Sequence, residues 1–137
     1  MAAFNKVNQA VADFLNGVHN CNSNTWKVYL SDSAPSATTT VYGTPADLST
    51  GGGYTSGGAT IPSTACSQTS GSASFTGSNV VFTATTGFGP FRYAIVYDAT
   101  DGSKRVIGWY DYSSEVTLGA SETFTVALGS SILTLAE

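Results

Sequence analysis

Charge is scarce in this sequence. Lys and Arg number 5 and Asp and Glu 9, so charged residues fill only 10% of the chain, against roughly a quarter in ordinary globular proteins. With a formal net charge of -4, no basic stripe is long enough to neutralise several phosphates, which argues against direct nucleic-acid binding. Histidine occurs once, as His19, and cysteine twice, as Cys21 and Cys66, with no C-x-x-C pair and no histidine cluster beside either. That spacing excludes a structural zinc ligand set. The thiols can pair if the fold brings them together, but free thiols are the expectation for a chain made in a reducing cytosol. No apolar run approaches the roughly 18 residues of a membrane span, and the N-terminus lacks the charged-then-apolar layout of a secretory signal. A soluble chain made without export by that route, with no membrane partner, is expected. The Glu/Lys/Ala/Leu mix of long helical proteins is also missing, which disfavours a helix bundle.

Ser and Thr stand where charge is absent, at about a quarter of positions, together with 15 glycines. The 137 residues suffice for one domain with a core and are too few for two. At the start, Phe4, Val7, Val11, Phe14 or Leu15, and Val18 recur at three- and four-residue spacing. This predicts one amphipathic helix over about residues 3–18, stopped by Gly17 and the Asn-rich run that follows. From Trp26 the period changes to two, so that Trp26, Val28 and Leu30 share a strand face. Residues 31–72 contain Pro35, Pro45, Pro62, the triple glycine at 51–53 and the pair Gly57 and Gly58. Long regular elements are excluded there, leaving a Gly/Ser-rich loop region with short strands at 41–42 and 59–61. A loop of that length in a compact domain is usually functional or held in place, here by its own domain or by an adjoining subunit.

Beyond it, short β-rich runs at 73–75, 79–85, 91–98, 104–110, 115–118, 122–128 and 132–135 alternate with glycine, serine and aspartate. The pattern predicts a mainly β protein: a jelly-roll-like antiparallel β-sandwich with one N-terminal amphipathic α-helix, forming a single domain over residues 1–137. Residues 99–102 carry an Asp-Gly hairpin signal, with Gly102 expected at positive φ.

Few residues present themselves for chemistry. His19 reads as a partly exposed imidazole at the helix end, interacting with the helix dipole. No G-x-S-x-G elbow surrounds any serine. Asp98, Asp101, Asp111 and Glu115 lie close enough in sequence to be weighed as a glycosidase pair, but each pair brackets a predicted turn, and bonding to the local backbone is the expected role. Their spacing does not match a calcium loop, and the glycine runs do not match a phosphate cradle. Among the crowded aromatics Phe88, Phe91, Tyr93, Tyr97, Trp109, Tyr110 and Tyr112, about half should face the core by alternation. The others are cross-strand partners, an interface patch or a platform for sugar rings. No catalytic, cofactor-binding or metal-ligating residue is assigned, and no enzyme is expected. The candidate interface is the apolar stripe Phe4, Val7, Val11, Phe14 and Val18, because an isolated helix this short must lay that stripe on its own sandwich or on a neighbour.

Three stretches carry a resemblance. Gly89, Pro90, Phe91, Arg92, Tyr93, Ala94, Ile95, Val96 and Tyr97, then Ile107, Gly108, Trp109, Tyr110, Asp111 and Tyr112, then residues 119–126 resemble a family of small tailed-bacteriophage virion proteins. The opening is similar to the same family in Phe4 and Asn5, the helix, His19 and Asn20, and the strand from Trp26 to Leu30 followed by Ser33, Ala34 and Pro35. The resemblance implies a virion component, a capsid decoration or cement protein made in the host cytoplasm and placed on the capsid exterior. Its expected partners are the major capsid protein lattice, which it would stabilise, and copies of itself, with a homotrimer suited to three-fold positions. The alternative is a tail or fibre component that binds host-surface glycan. Neither carries catalytic residues or a cofactor.

Overall fold

The period-two run beginning at Trp26 forms a strand whose two faces are both covered, and the rest of the fold is arranged around it. The protein is described by a computed structural model over residues 2–136. These residues form β1 (Phe4–Lys6), α1 (Asn8–Leu15), β2 (Trp26–Ser31), β3 (Ala59–Thr60), β4 (Ala65–Thr69), β5 (Ser72–Thr76), β6 (Val80–Thr83), β7 (Gly87–Asp98), β8 (Val106–Gly119), β9 (Thr123–Val126) and β10 (Leu133–Leu135). The strands make a five-stranded sheet in the order β1-β8-β7-β2-β3, a three-stranded sheet β10-β5-β4 and a two-stranded sheet β6-β9. Every pairing is antiparallel.

The two smaller sheets cover one face of the large one, giving the mainly β antiparallel sandwich that the alternation predicts. Trp26 of β2 meets Phe75 of β5 with ring centroids 4.7 Å apart, and Phe91 of β7 meets Phe124 of β9 at 4.9 Å. Trp26, Val28, Leu30, Phe91, Ala94 and Val96 are all buried beneath this layer.

On the opposite face, part of the segment expected to be loop packs around Tyr42. Tyr29 and Tyr97 project there and are overlaid by Tyr42, 4.9 and 4.8 Å away between ring centroids. Asp47 organises the segment. Its carboxylate accepts hydrogen bonds from the Tyr42 and Tyr54 hydroxyls and from the Gly57 N–H. The Leu30 N–H in turn donates to the Tyr54 hydroxyl, and the Leu48 N–H to the Leu30 carbonyl, so the loop caps the edge of β2 where β3 ends. The domain's own tyrosines thus hold the long loop. At its close Gly58 adopts φ +77°, and a Cβ there would lie 1.8 Å from the Val28 carbonyl oxygen, so only glycine allows this approach.

Several expected boundaries are corrected. The helix is shorter than residues 3–18 because Phe4 to Lys6 pair with Tyr110, Trp109 and Gly108 as a strand. Gly108 makes this possible: a Cβ would stand 2.4 Å from the Phe4 ring and from the Asn5 carbonyl oxygen. At the other end Gly17 takes φ +77°, while the Val18 N–H reaches back to the Asp13 carbonyl. This is the left-handed stop that places Val18 outside the helix. The expected strands at 104–110 and 115–118 are one strand, β8, so Asp111 and Glu115 do not bracket a turn. An irregularity at Ser113, with φ +70°, replaces it, and the Ser113 N–H donates to Asp111. The hairpin between β7 and β8 forms as predicted, but the left-handed residue in it is Lys104 at φ 51°, not Gly102. Residues 41–42 contribute only a bridge from Val41 to Arg105, and β4 lies inside the region read as loop.

Candidate functional site

Among the described residues, His19, Asp98, Asp13, Asp101 and Arg105 converge where α1, the segment after it and the β7–β8 hairpin meet. Asp98 ends β7 and is fully buried. One carboxylate oxygen accepts the backbone N–H groups of Thr100 and Asp101, which is the turn chemistry expected of it. The other oxygen accepts from Asn24 Nδ2 at 2.6 Å and lies 2.8 Å from His19 Nδ1. Burial by itself would push this carboxyl up. The hydrogen bonds from His19, Asn24 and the two backbone groups outweigh it and hold Asp98 below the usual carboxylate range.

His19 therefore contradicts the exposed helix-end reading. Its side chain is 0% exposed, wedged between Phe14 and Trp26 at 4.9 and 5.2 Å between ring centroids. Nε2 has no hydrogen-bond partner and faces Asp13 Oδ2 at 3.9 Å. Asp13, also buried, accepts from Gln9 Nε2 at 3.1 Å and from Arg105 Nη1 at 3.2 Å, and Arg105 Nε lies 3.7 Å from Asp101. An imidazole oriented by a carboxylate is half of a general-base pair. Here its free nitrogen is enclosed by aromatic rings and a second carboxylate, so the chain of contacts ties the helix to the hairpin. The sequence placed Asp98 and Asp101 correctly on a turn. It did not indicate Asp13, Asn24 or Arg105, whose partners are distant in the chain.

The other carboxylates sit elsewhere. Asp111 receives Arg92 Nε at 2.8 Å and Nη2 at 3.1 Å, and the guanidinium holds its carboxyl below the ordinary range. Glu115 is exposed on β8. Among the crowded aromatics, Phe88, Phe91, Tyr93, Tyr97 and Tyr110 are buried, whereas Trp109 and Tyr112 are half-buried. Burial pushes the Tyr97 and Tyr112 hydroxyls up to about 12.

The candidate interface stripe divides in two. Val7 is fully buried, Phe4 packs on Tyr110 at 5.2 Å, and Phe14 stacks on Trp26 with an interplanar angle of 12°. These residues attach the N-terminal segment to its own sandwich. Val11 and Val18 are half-buried. Beside them Leu15 is 81% exposed, the most exposed large apolar side chain among the described residues. With Val11, Gly71, Leu135 and Ala136 it borders an open groove of about 500 Å³ between α1 and β10. Among the described residues no helix is long and apolar enough to cross a membrane. No family model, curated protein or solved structure matches the chain.

Proposed function

We propose that the protein is a structural component of a tailed-bacteriophage virion, a capsid decoration or cement protein that binds the major capsid protein lattice and stabilises it. The observation that carries this reading is the apolar surface between α1 and β10, where Leu15 stands 81% exposed beside Val11, Leu135 and Ala136. A contiguous exposed apolar patch on a folded domain marks an interaction site. The ionisable groups give complementary support, because His19, Asp98, Asp13 and Arg105 are engaged with one another and with the backbone. The partner proposed is the one that the sequence resemblance implies. Work of this kind consists of binding energy delivered many times over a lattice, and a cyclic homotrimer at three-fold positions multiplies the contacts per molecule.

Imaging virions with gold-labelled antibody against the protein tests the placement. The label should cover the whole head exterior. Label confined to the tail would replace this reading with that of a glycan-binding tail or fibre component, and particles without label would remove the protein from the virion.

A further inference from the structure

The two cysteines lie about 45 positions apart in the chain, yet the fold brings them to one place. Cys21, in the turn after α1, and Cys66, on β4, border the same cavity of about 30 Å³, with Phe14, Phe75 and Leu133 around them. The backbone is fixed there as well, since the Cys66 N–H donates to the Asn22 side-chain oxygen at 2.9 Å and Asn22 is the neighbour of Cys21. Both thiols are free. Cys21 is 7% exposed, whereas Cys66 is open to solvent.

We propose that Cys21 and Cys66 form a redox-responsive dithiol that closes to an intramolecular disulfide when a small disulfide such as oxidised glutathione is present as oxidant. The exposed Cys66 thiolate attacks one sulfur of the oxidant, a protein–glutathione bond forms, and the first glutathione leaves as its thiolate. Cys21, after losing its proton, attacks the Cys66 sulfur, and the second glutathione leaves. Two electrons pass from the protein thiols to the oxidant, and the two protons they release end on the two glutathione thiols. The order of attack follows from the surroundings. Burial, with the Cys66 thiol beside it and Asp98 nearby, pushes the Cys21 thiol up to about 12, so Cys66 supplies the first thiolate and Cys21 resolves.

The bond would staple β4, the edge of the three-stranded sheet, to the turn that carries His19 and Asn24, where the two are otherwise joined by the Cys66–Asn22 hydrogen bond and the apolar contacts of Phe14, Trp26 and Phe75. Closing a loop of this length restricts the unfolded chain strongly. The inference does not depend on the virion reading.

The test equilibrates the full chain with oxidised glutathione, removes it, and measures intact mass, free thiols under denaturing conditions, linked peptides and thermal unfolding. The expected product is a monomer lighter by two hydrogen atoms, with no alkylatable thiol, Cys21 linked to Cys66, and a midpoint higher by about 5–15 °C. Dithiothreitol should reverse every change. Cys66→Ala, at an exposed position, should keep the midpoint of the reduced protein and lose the response. Two thiols still free, glutathione retained on Cys66 alone, a dimer linked through Cys66, or a linked monomer with an unchanged midpoint would each overturn the proposal.

Discussion

Replacing Asp98 by alanine removes the acceptor of four hydrogen bonds at once, from Thr100 and Asp101 N–H, Asn24 Nδ2 and His19 Nδ1. The two backbone donors lie in the hairpin and can be rehydrated when the loop relaxes. His19, with a side chain 0% exposed, and the part-buried Asn24 have less recourse to water. Each buried donor left unpaired costs about 1–3 kcal/mol, and hydrogen bonds to a charged group such as the Asp98 carboxylate lie at about 1.5–3 kcal/mol each. The expected loss is therefore about 3–5 kcal/mol, a large share of the 5–15 kcal/mol typical of a domain. For a chain of this size it corresponds to a fall of roughly 10–20 °C in Tm.

Asp98→Asn keeps one acceptor oxygen and should lose about half as much. Acid should reproduce part of the effect. Asp98 sits below its ordinary value of 3.8 in the folded protein, so its contribution is complete above that value. As pH falls through it, the unfolded carboxyl takes up its proton first, and stability declines until the folded carboxyl is protonated as well. In Asp98→Ala this part of the acid limb should be flattened. Urea unfolding followed by circular dichroism, at neutral pH and between about pH 2 and 5, measures both effects. If Asp98→Ala lay within about 0.5 kcal/mol of the parent, the level of an ordinary surface change, the network would not be what joins the helix to the hairpin.

The remaining predictions concern the loop, the first strand and the apolar face. Asp47→Ala unties Tyr42, Tyr54 and the Gly57 N–H; proteolysis should become rapid within residues 43–58, with a global loss of about 1–3 kcal/mol. Gly108→Val places a side chain where the Phe4 ring lies; hydrogen exchange should show β1 released, and stability should fall by roughly the 1.5–3 kcal/mol gained on burying a large side chain such as Val7. Phe14→Asp should destabilise the monomer, because a partly desolvated carboxylate would replace the ring that stacks on the buried Trp26. Leu15→Asp, at an 81% exposed position, should leave monomer stability within about 0.5 kcal/mol while abolishing sedimentation with phage heads.

The strands were legible where alternation and burial coincide. Trp26, Val28 and Leu30 share one buried face of β2, and the runs at 73–75, 79–85, 91–98 and 122–128 each contain or overlap a strand, because period two is a local property. Periodicity alone overextends the helix, because Phe4 and Val7 fit a helical stripe as well as they fit a strand and its exit. What decides between them is Gly108, far along the chain. Asp98 was half legible for the same reason. Its bonds to Thr100 and Asp101 are two and three residues away, whereas His19 is 79 residues away. Asp47 left no signal, since one carboxylate within a Gly/Ser-rich stretch resembles any turn residue until Tyr42 and Tyr54 converge on it. In the sequence Phe14 and Leu15 are interchangeable at one position of the stripe, and only packing separates the inward ring from the outward leucine.

The central claim is that this sandwich stabilises a capsid lattice by docking the α1–β10 face on it. Light scattering during a thermal ramp, on expanded heads lacking the protein and on the same heads after adding parent or Leu15→Asp protein, tests it most directly. A ligand that binds only the assembled lattice must raise that lattice's resistance to disruption. Heads with the parent protein should therefore disrupt at a higher temperature than bare heads, and heads given Leu15→Asp should behave as bare heads do. One disruption temperature for all three samples would contradict the account.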